Sequence, residues 1–124
     1  MKTSAFVVTS IISALVTGCS LCGSQIIQSA VSPSGAWTAI VYERDCGATT
    51  PVYTVVELLP EGKKRPDGED RSGLVLSLRN SHEVRVKWVD GVHLVVSCSS
   101  CGKVDFSKER QQVRTVSVTY IRAQ

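Results

Sequence analysis

A chain of 124 residues that is 43% apolar has room for one small domain around one core. Its formal charge of +3 is too small to argue for nucleic acid or another polyanion as a partner. Five cysteines in so short a chain favour a compartment that permits disulfides over the reducing cytosol.

Residues 1–18 have the layout of an export signal. Lys2 gives a short positive start, Ala5 to Val16 an apolar run, and Thr17 and Gly18 the small residues before a cut. The apolar run of 12 residues is too short to cross a hydrocarbon core of roughly 30 Å as a helix. Val16-Thr17-Gly18-Cys19 resembles the lipobox of bacterial lipoproteins. That resemblance implies cleavage between Gly18 and Cys19, lipid attachment at Cys19, and anchoring to a membrane of the cell envelope. Ser20, where an Asp would favour retention at the inner membrane, implies the periplasmic face of the outer membrane. One acyl chain anchors only marginally, at about 0.8 kcal/mol per buried methylene; two or three anchor stably.

Cleavage would leave 106 residues, Cys19 to Gln124, with thirteen basic and eleven acidic side chains. Residues 19–30 read as the lipidated cysteine and a short polar tether, and 31–124 as a single domain without repeats or an internal linker. The turn Ser32-Pro33-Ser34-Gly35 introduces a β-branched and aromatic strand, Ala36 to Arg44. Val52 to Leu59 is a second strand, stopped by Pro60 and Gly62. Pro60 to Gly73 carries four charges of each sign and reads as a solvated loop.

Leu74 to Arg79 and Val84 to Trp88 alternate apolar with polar residues, the pattern of half-buried strands. Asp90-Gly91 joins the second of these to Val92–Val96 as a hairpin. Val116 to Ile121 is the final strand. Helix signals are confined to one turn, Ser107 to Gln112. The expected fold is therefore all-β, a single small antiparallel meander or sandwich of about six to seven strands.

Asp45-Cys46-Gly47-Ala48-Thr49-Thr50, with the preceding Ser-Pro-Ser-Gly turn and the Val84–Trp88 strand, resembles small uncharacterised bacterial envelope proteins. These carry the same hexapeptide after an apolar strand. The likeness covers residues 31–59 well and 84–121 loosely, and implies fold and envelope location but no activity. This chain departs from the pattern at Ser34, where Asp is usual. The turn and strand also look like a propeller blade, which the length excludes.

Cys22, Cys46, Cys98 and Cys101 remain for pairing, and four cysteines allow three connectivities. Cys22 lies in the tether and is the doubtful partner. Cys98 and Cys101 bridge each other locally, or one of them clamps Cys46 across a loop of about 50 residues, worth about 4 kcal/mol. Cys98-Ser99-Ser100-Cys101 is a C-x-x-C without the following helix that a thioredoxin-like thiol needs. Cys46, Cys98, Cys101 and either His82 or His93 make up a four-ligand zinc set in number, but an oxidising compartment disfavours it. Asp45, Cys46, Gly47, Thr49 and Thr50 bring a carboxylate, a thiol and hydroxyls together without a histidine near in sequence to act as base.

Three functional readings compete. The leading one is a non-catalytic envelope lipoprotein that binds another envelope component, with an immunity or inhibitor lipoprotein as a specific form. The second is a thiol- or metal-dependent protein using Cys46, Cys98 and Cys101. The third is an enzyme working at Asp45 to Thr50. The leading reading carries no metal, no cofactor, no nucleic acid and no catalytic residue.

Overall fold

A computed structural model describes residues 22–63, 72–102, 104, 106 and 109–122. The signal, Gly18 and Cys19 lie outside the described residues, as do most of the charged loop and Ser107. The described residues form eight strands and no α-helix. These are β1 (Gly23–Val31), β2 (Trp37–Asp45), β3 (Tyr53–Pro60), β4 (Leu74–Arg79), β5 (Val84–Trp88), β6 (His93–Cys98), β7 (Gln112–Val113) and β8 (Val116–Arg122).

Two four-stranded sheets stack face to face, in the orders β1-β2-β3-β4 and β5-β6-β8-β7. The expected all-β sandwich is present, with three differences. Residues 23–30 of the stretch read as a tether belong to the edge strand β1, so the domain takes in Gly23 onward rather than starting at residue 31. Gln112, read as the end of a helical turn, belongs to the two-residue strand β7. And β6 runs parallel to β8, so the second sheet is mixed rather than antiparallel. The loop from Cys98 to Val116 contains β7, which lets the chain return along β8 in the same direction as β6.

The core lies between the sheets. Ala39, Val41, Val56, Leu58, Leu76 and Leu78 of the first sheet meet Val84, Val86, Leu94, Val96, Val116 and Val118 of the second. Alternation dictates this in β5, where Val84 and Val86 are buried while Arg85 and Lys87 are exposed. Each fully buried valine or leucine contributes roughly 1.5–3 kcal/mol relative to exposure. The strands β2 and β3 are apolar on both faces, and their outward residues Ile40, Tyr42, Val55 and Leu59 form a second, smaller cluster with Leu74. A bulge in β4 allows this. Val56 pairs with Leu76 but Glu57 with Leu74, so the skipped Val75 joins the main core and Leu74 turns outward. Where β4 begins, Leu58 N donates to the Gly73 carbonyl at 2.7 Å. A Cβ on Gly73 would collide with the Leu58 carbonyl oxygen, so the approach requires glycine.

A second bulge, at Ile27, sets the orientation of β1. Ile26 pairs with Tyr42 but Gln28 with Val41, so the inward parity of Val41 passes to Gln28 and then to Ala30 opposite Ala39. The Gln28 amide then reaches the open edge of β5, donating to Val86 O and accepting from Val86 N, both at 2.9 Å. Trp88 Nε1 donates to Ala30 O at 2.9 Å alongside it. On the other side of the sandwich the Tyr120 hydroxyl lies 3.2 Å from Val75 O.

The expected hairpin between β5 and β6 is present with one more loop residue than Asp90-Gly91 alone. Val89 N donates to His93 O at 2.9 Å, and Asp90 Oδ1 accepts from Val92 N at 2.8 Å. Val92 therefore sits exposed at the tip rather than in the strand. The resulting register pairs Val84 with Cys98 and Val86 with Val96.

Candidate functional site

Two cysteine pairs organise the chemistry, and they lie in different places. Cys22 bonds Cys46, and Cys98 bonds Cys101. The local pairing expected of Cys98 and Cys101 is present. The clamp from one of them to Cys46 is not, and Cys22, read as the doubtful partner, is bonded. The register explains this. Gly23 lies opposite Asp45 in the antiparallel pair β1–β2, so the flanking Cys22 and Cys46 face each other with Cα atoms 3.9 Å apart.

The hexapeptide loop follows that bridge. Asp45 Oδ1 accepts from Gly47 N at 3.0 Å, an Asx turn, and Gly47 takes a positive φ of 121°. The Gly47 carbonyl in turn accepts from Thr50 N and from Thr50 Oγ1, each at 3.2 Å. Asp45, Gly47, Thr49 and Thr50 are all exposed. The carboxylate and the Thr50 hydroxyl thus hold the turn itself, and Cys46 is no free thiol. Shallow hollows flank the loop. One of about 310 Å³ is lined by Arg44, Cys46, Tyr53, Val55, Leu74 and Ser77. Another of about 340 Å³ is lined by Gly23, Ser24, Gln25, Glu43, Asp45 and Val52. No histidine is among their described lining residues; Glu43 and Asp45 are the carboxylates beside the second.

The second pair closes the far end of β6. Cys98 and Cys101 are 1% and 2% exposed. Ser100 Oγ accepts from Glu83 N at 2.9 Å, and Ser99 N donates to Glu83 O at 3.2 Å, tying the loop to the entry of β5. His82 stands one residue before Glu83. Its backbone N donates to Thr54 Oγ1 at 2.9 Å, and that hydroxyl donates to Asn80 O at 2.9 Å. The left-handed Asn80, at a φ of 74°, turns the chain between β4 and β5 and brings His82 in.

His82, Cys98 and Cys101 offer ligand atoms that all lie within 4.8 Å of one another. His82 Nε2 is 2.9 Å from the Arg79 carbonyl, which only accepts, so the ring proton belongs on Nε2. In the neutral ring Nδ1 is then the acceptor, and among the described residues it is buried without a hydrogen-bond partner. Such an orphan costs about 1–3 kcal/mol. The four-ligand zinc set is not assembled, because Cys46 is tied to Cys22 on the first sheet. His93 is also elsewhere, at the hairpin tip, where Nδ1 lies 2.8 Å from the Asp90 carboxylate. The Val92 backbone N–H, followed by His93, holds the Asp90 carboxyl below the usual carboxylate range.

The association of His82 with Cys98 and Cys101 survives from the four-ligand set, without Cys46 and His93. One feature had no place in the sequence reading: Glu57, buried on the outer face of β3, where the Tyr42 hydroxyl donates to Oε1 at 3.2 Å and Oε2 has no partner among the described residues.

No family model, curated protein or solved structure matches the chain.

Proposed function

We propose that the chain is a lipid-anchored protein of the bacterial envelope whose β-domain binds another envelope protein without catalysing a reaction. The observation that carries this is a concentration of exposed apolar residues on one strand. Of the large apolar side chains left in water, Ile26, Ile27 and Val31, 57%, 43% and 63% exposed, lie together on β1, the strand nearest in sequence to Cys19, while Tyr53, Val89, Val92 and Ile121 are spread over other parts of the surface. An edge strand of this kind is a template for an extended segment of a partner.

The template is limited to one half of β1. The second half, Gln28 and Ala30, is engaged with β5. Among the described residues no backbone hydrogen bond reaches the outer edge of Gly23–Ile26. The partner segment is therefore an extended strand that pairs beside Gly23–Ile26 and covers Ile26 and Ile27. Among the described residues no helix is long and apolar enough to cross a membrane. In this reading the anchor is the acyl chains at Cys19.

Two measurements test this reading. Metabolic labelling with an alkyne fatty acid should mark the wild-type chain and not Cys19→Ala; label that survives this substitution, or is absent from the wild type, overturns the anchor. A photo-crosslinker placed at residue 27 in intact cells should give one discrete adduct with an envelope protein, and one placed at Lys87 should not. Equal adducts at both positions, or none at residue 27, overturn the binding surface.

A further inference from the structure

We propose that Cys98, Cys101 and His82 form a binding site for one thiophilic cation when the two cysteines are in the dithiol state. The site is distinct from the β1 surface and does not depend on it.

Three observations converge on it. The ligand atoms of the three residues lie within 4.8 Å of one another, so once the disulfide is opened and the sulfurs separate, one cation is within reach of all three. The cysteines have the C-x-x-C spacing of structural zinc sites. The histidine is presented as metal-bound histidines are: Nε2–H is held by a backbone carbonyl, that of Arg79, which fixes the tautomer and leaves Nδ1 to donate its lone pair. A disulfide gives that buried lone pair nothing to bind, since its sulfurs carry no proton. A cation, or a thiol proton, does.

Both fates of the dithiol balance. Binding of a divalent ion by the dithiol releases two protons, one from each sulfur, and forms two metal–thiolate bonds and one metal–imidazole bond. Loss of two electrons and two protons from the same dithiol, taken up by an envelope disulfide as oxidant, gives the Cys98–Cys101 bond instead. The two outcomes exclude each other, because both use the same sulfur electrons. Soft thiolates with one imidazole select zinc or Cu(I) over hard cations such as magnesium or calcium. Three ligands leave a fourth tetrahedral position on zinc to water. The residues between the cysteines, Ser99 and Ser100, are exposed, so the ion enters from that side.

The test uses the whole exported chain, reduced with a phosphine and handled without oxygen, then titrated with zinc against a chromophoric chelator and with Cu(I) against bicinchoninate. One equivalent of zinc or Cu(I) should bind the reduced chain and none the oxidised chain. Cys22→Ser/Cys46→Ser should bind as the wild type does, whereas Cys98→Ser/Cys101→Ser should lose the site. His82→Ala should bind at least tenfold more weakly. Zinc protection, which does not depend on how these variants fold, is also read on the reduced wild type: alkylation should spare Cys98 and Cys101 and still label Cys22 and Cys46. The proposal is overturned if the reduced wild type binds no more cation than Cys98→Ser/Cys101→Ser, if His82→Ala binds as tightly as the wild type, or if zinc fails to protect Cys98 and Cys101.

Discussion

The side-chain amide of Gln28 is hydrogen-bonded to both backbone groups of Val86, as a peptide unit of a neighbouring strand would be. With the neighbouring Trp88 Nε1 to Ala30 O bond, it joins the two sheets through side chains. Gln28→Ala should leave Val86 N and O without these partners and destabilise the domain by about 1–3 kcal/mol in urea denaturation. Gln28→Glu should be at least as harmful at neutral pH, because a carboxylate accepts from Val86 N but has no proton for Val86 O.

The two disulfides should differ in worth. Cys22–Cys46 spans 24 residues and Cys98–Cys101 spans 3. In the chain-entropy model the first is worth about 3 kcal/mol and the second about 2 kcal/mol. Double serine variants of each pair, compared by denaturation of otherwise oxidised protein, should rank in that order.

Gly73→Ala should lower the melting temperature. The added methyl meets the Leu58 carbonyl, and relieving the clash pulls β4 from β3 at the Leu58 N to Gly73 O bond. The expected cost is about 1–3 kcal/mol. Gly23→Ala, whose methyl meets only the Asp45 carbonyl at 3.8 Å, is the control and should stay near wild type.

Glu109 supplies a prediction with pH. Burial raises its carboxyl above the ordinary 4.5, so the charged form is less favourable in the folded than in the unfolded chain. Folding is therefore weakened above the folded-state value and unaffected below the unfolded one. Glu109→Gln should raise stability at pH 7, and the gain should vanish as the pH falls below about 4.5, in paired thermal melts across that range.

The legible part of this fold was its apolar alternation, and the illegible part was whatever depends on distant partners. The strands β4, β5, β6 and β8 announce themselves through apolar residues that alternate with polar ones, and β2 and β3 through continuous apolar runs. By contrast, β1 is largely polar and exposed, with Ile26 and Ile27 adjacent rather than alternating, and it is a strand because β2 pairs with it. Missing β1 hid the Cys22–Cys46 bond, since only the Gly23–Asp45 register brings those sulfurs together. The parallel run of β6 and β8 left no local mark, because parallel neighbours share no turn. The His82 cluster was nearer to hand. The Asp90 hairpin pairs Val84 with Cys98, and extending that register two residues sets His82 beside Ser100, between the two cysteines. A loop one residue longer than the Asp-Gly pair hid this, since one step of register exchanges the faces of every side chain.

The placement of β8 has a consequence for how the chain reaches its folded state. It follows every other strand in sequence, yet it sits inside the second sheet, between β6 and β7. Until Val116–Arg122 is delivered, β6 has a bare flank, and Leu94 and Val96 lack Val116 and Val118 as neighbours. Contacts between such distant segments form slowly, after loop closure. The first sheet can pair without β8, but the second gains its central member, and the core between the sheets its last wall, only when the carboxyl-terminal strand arrives.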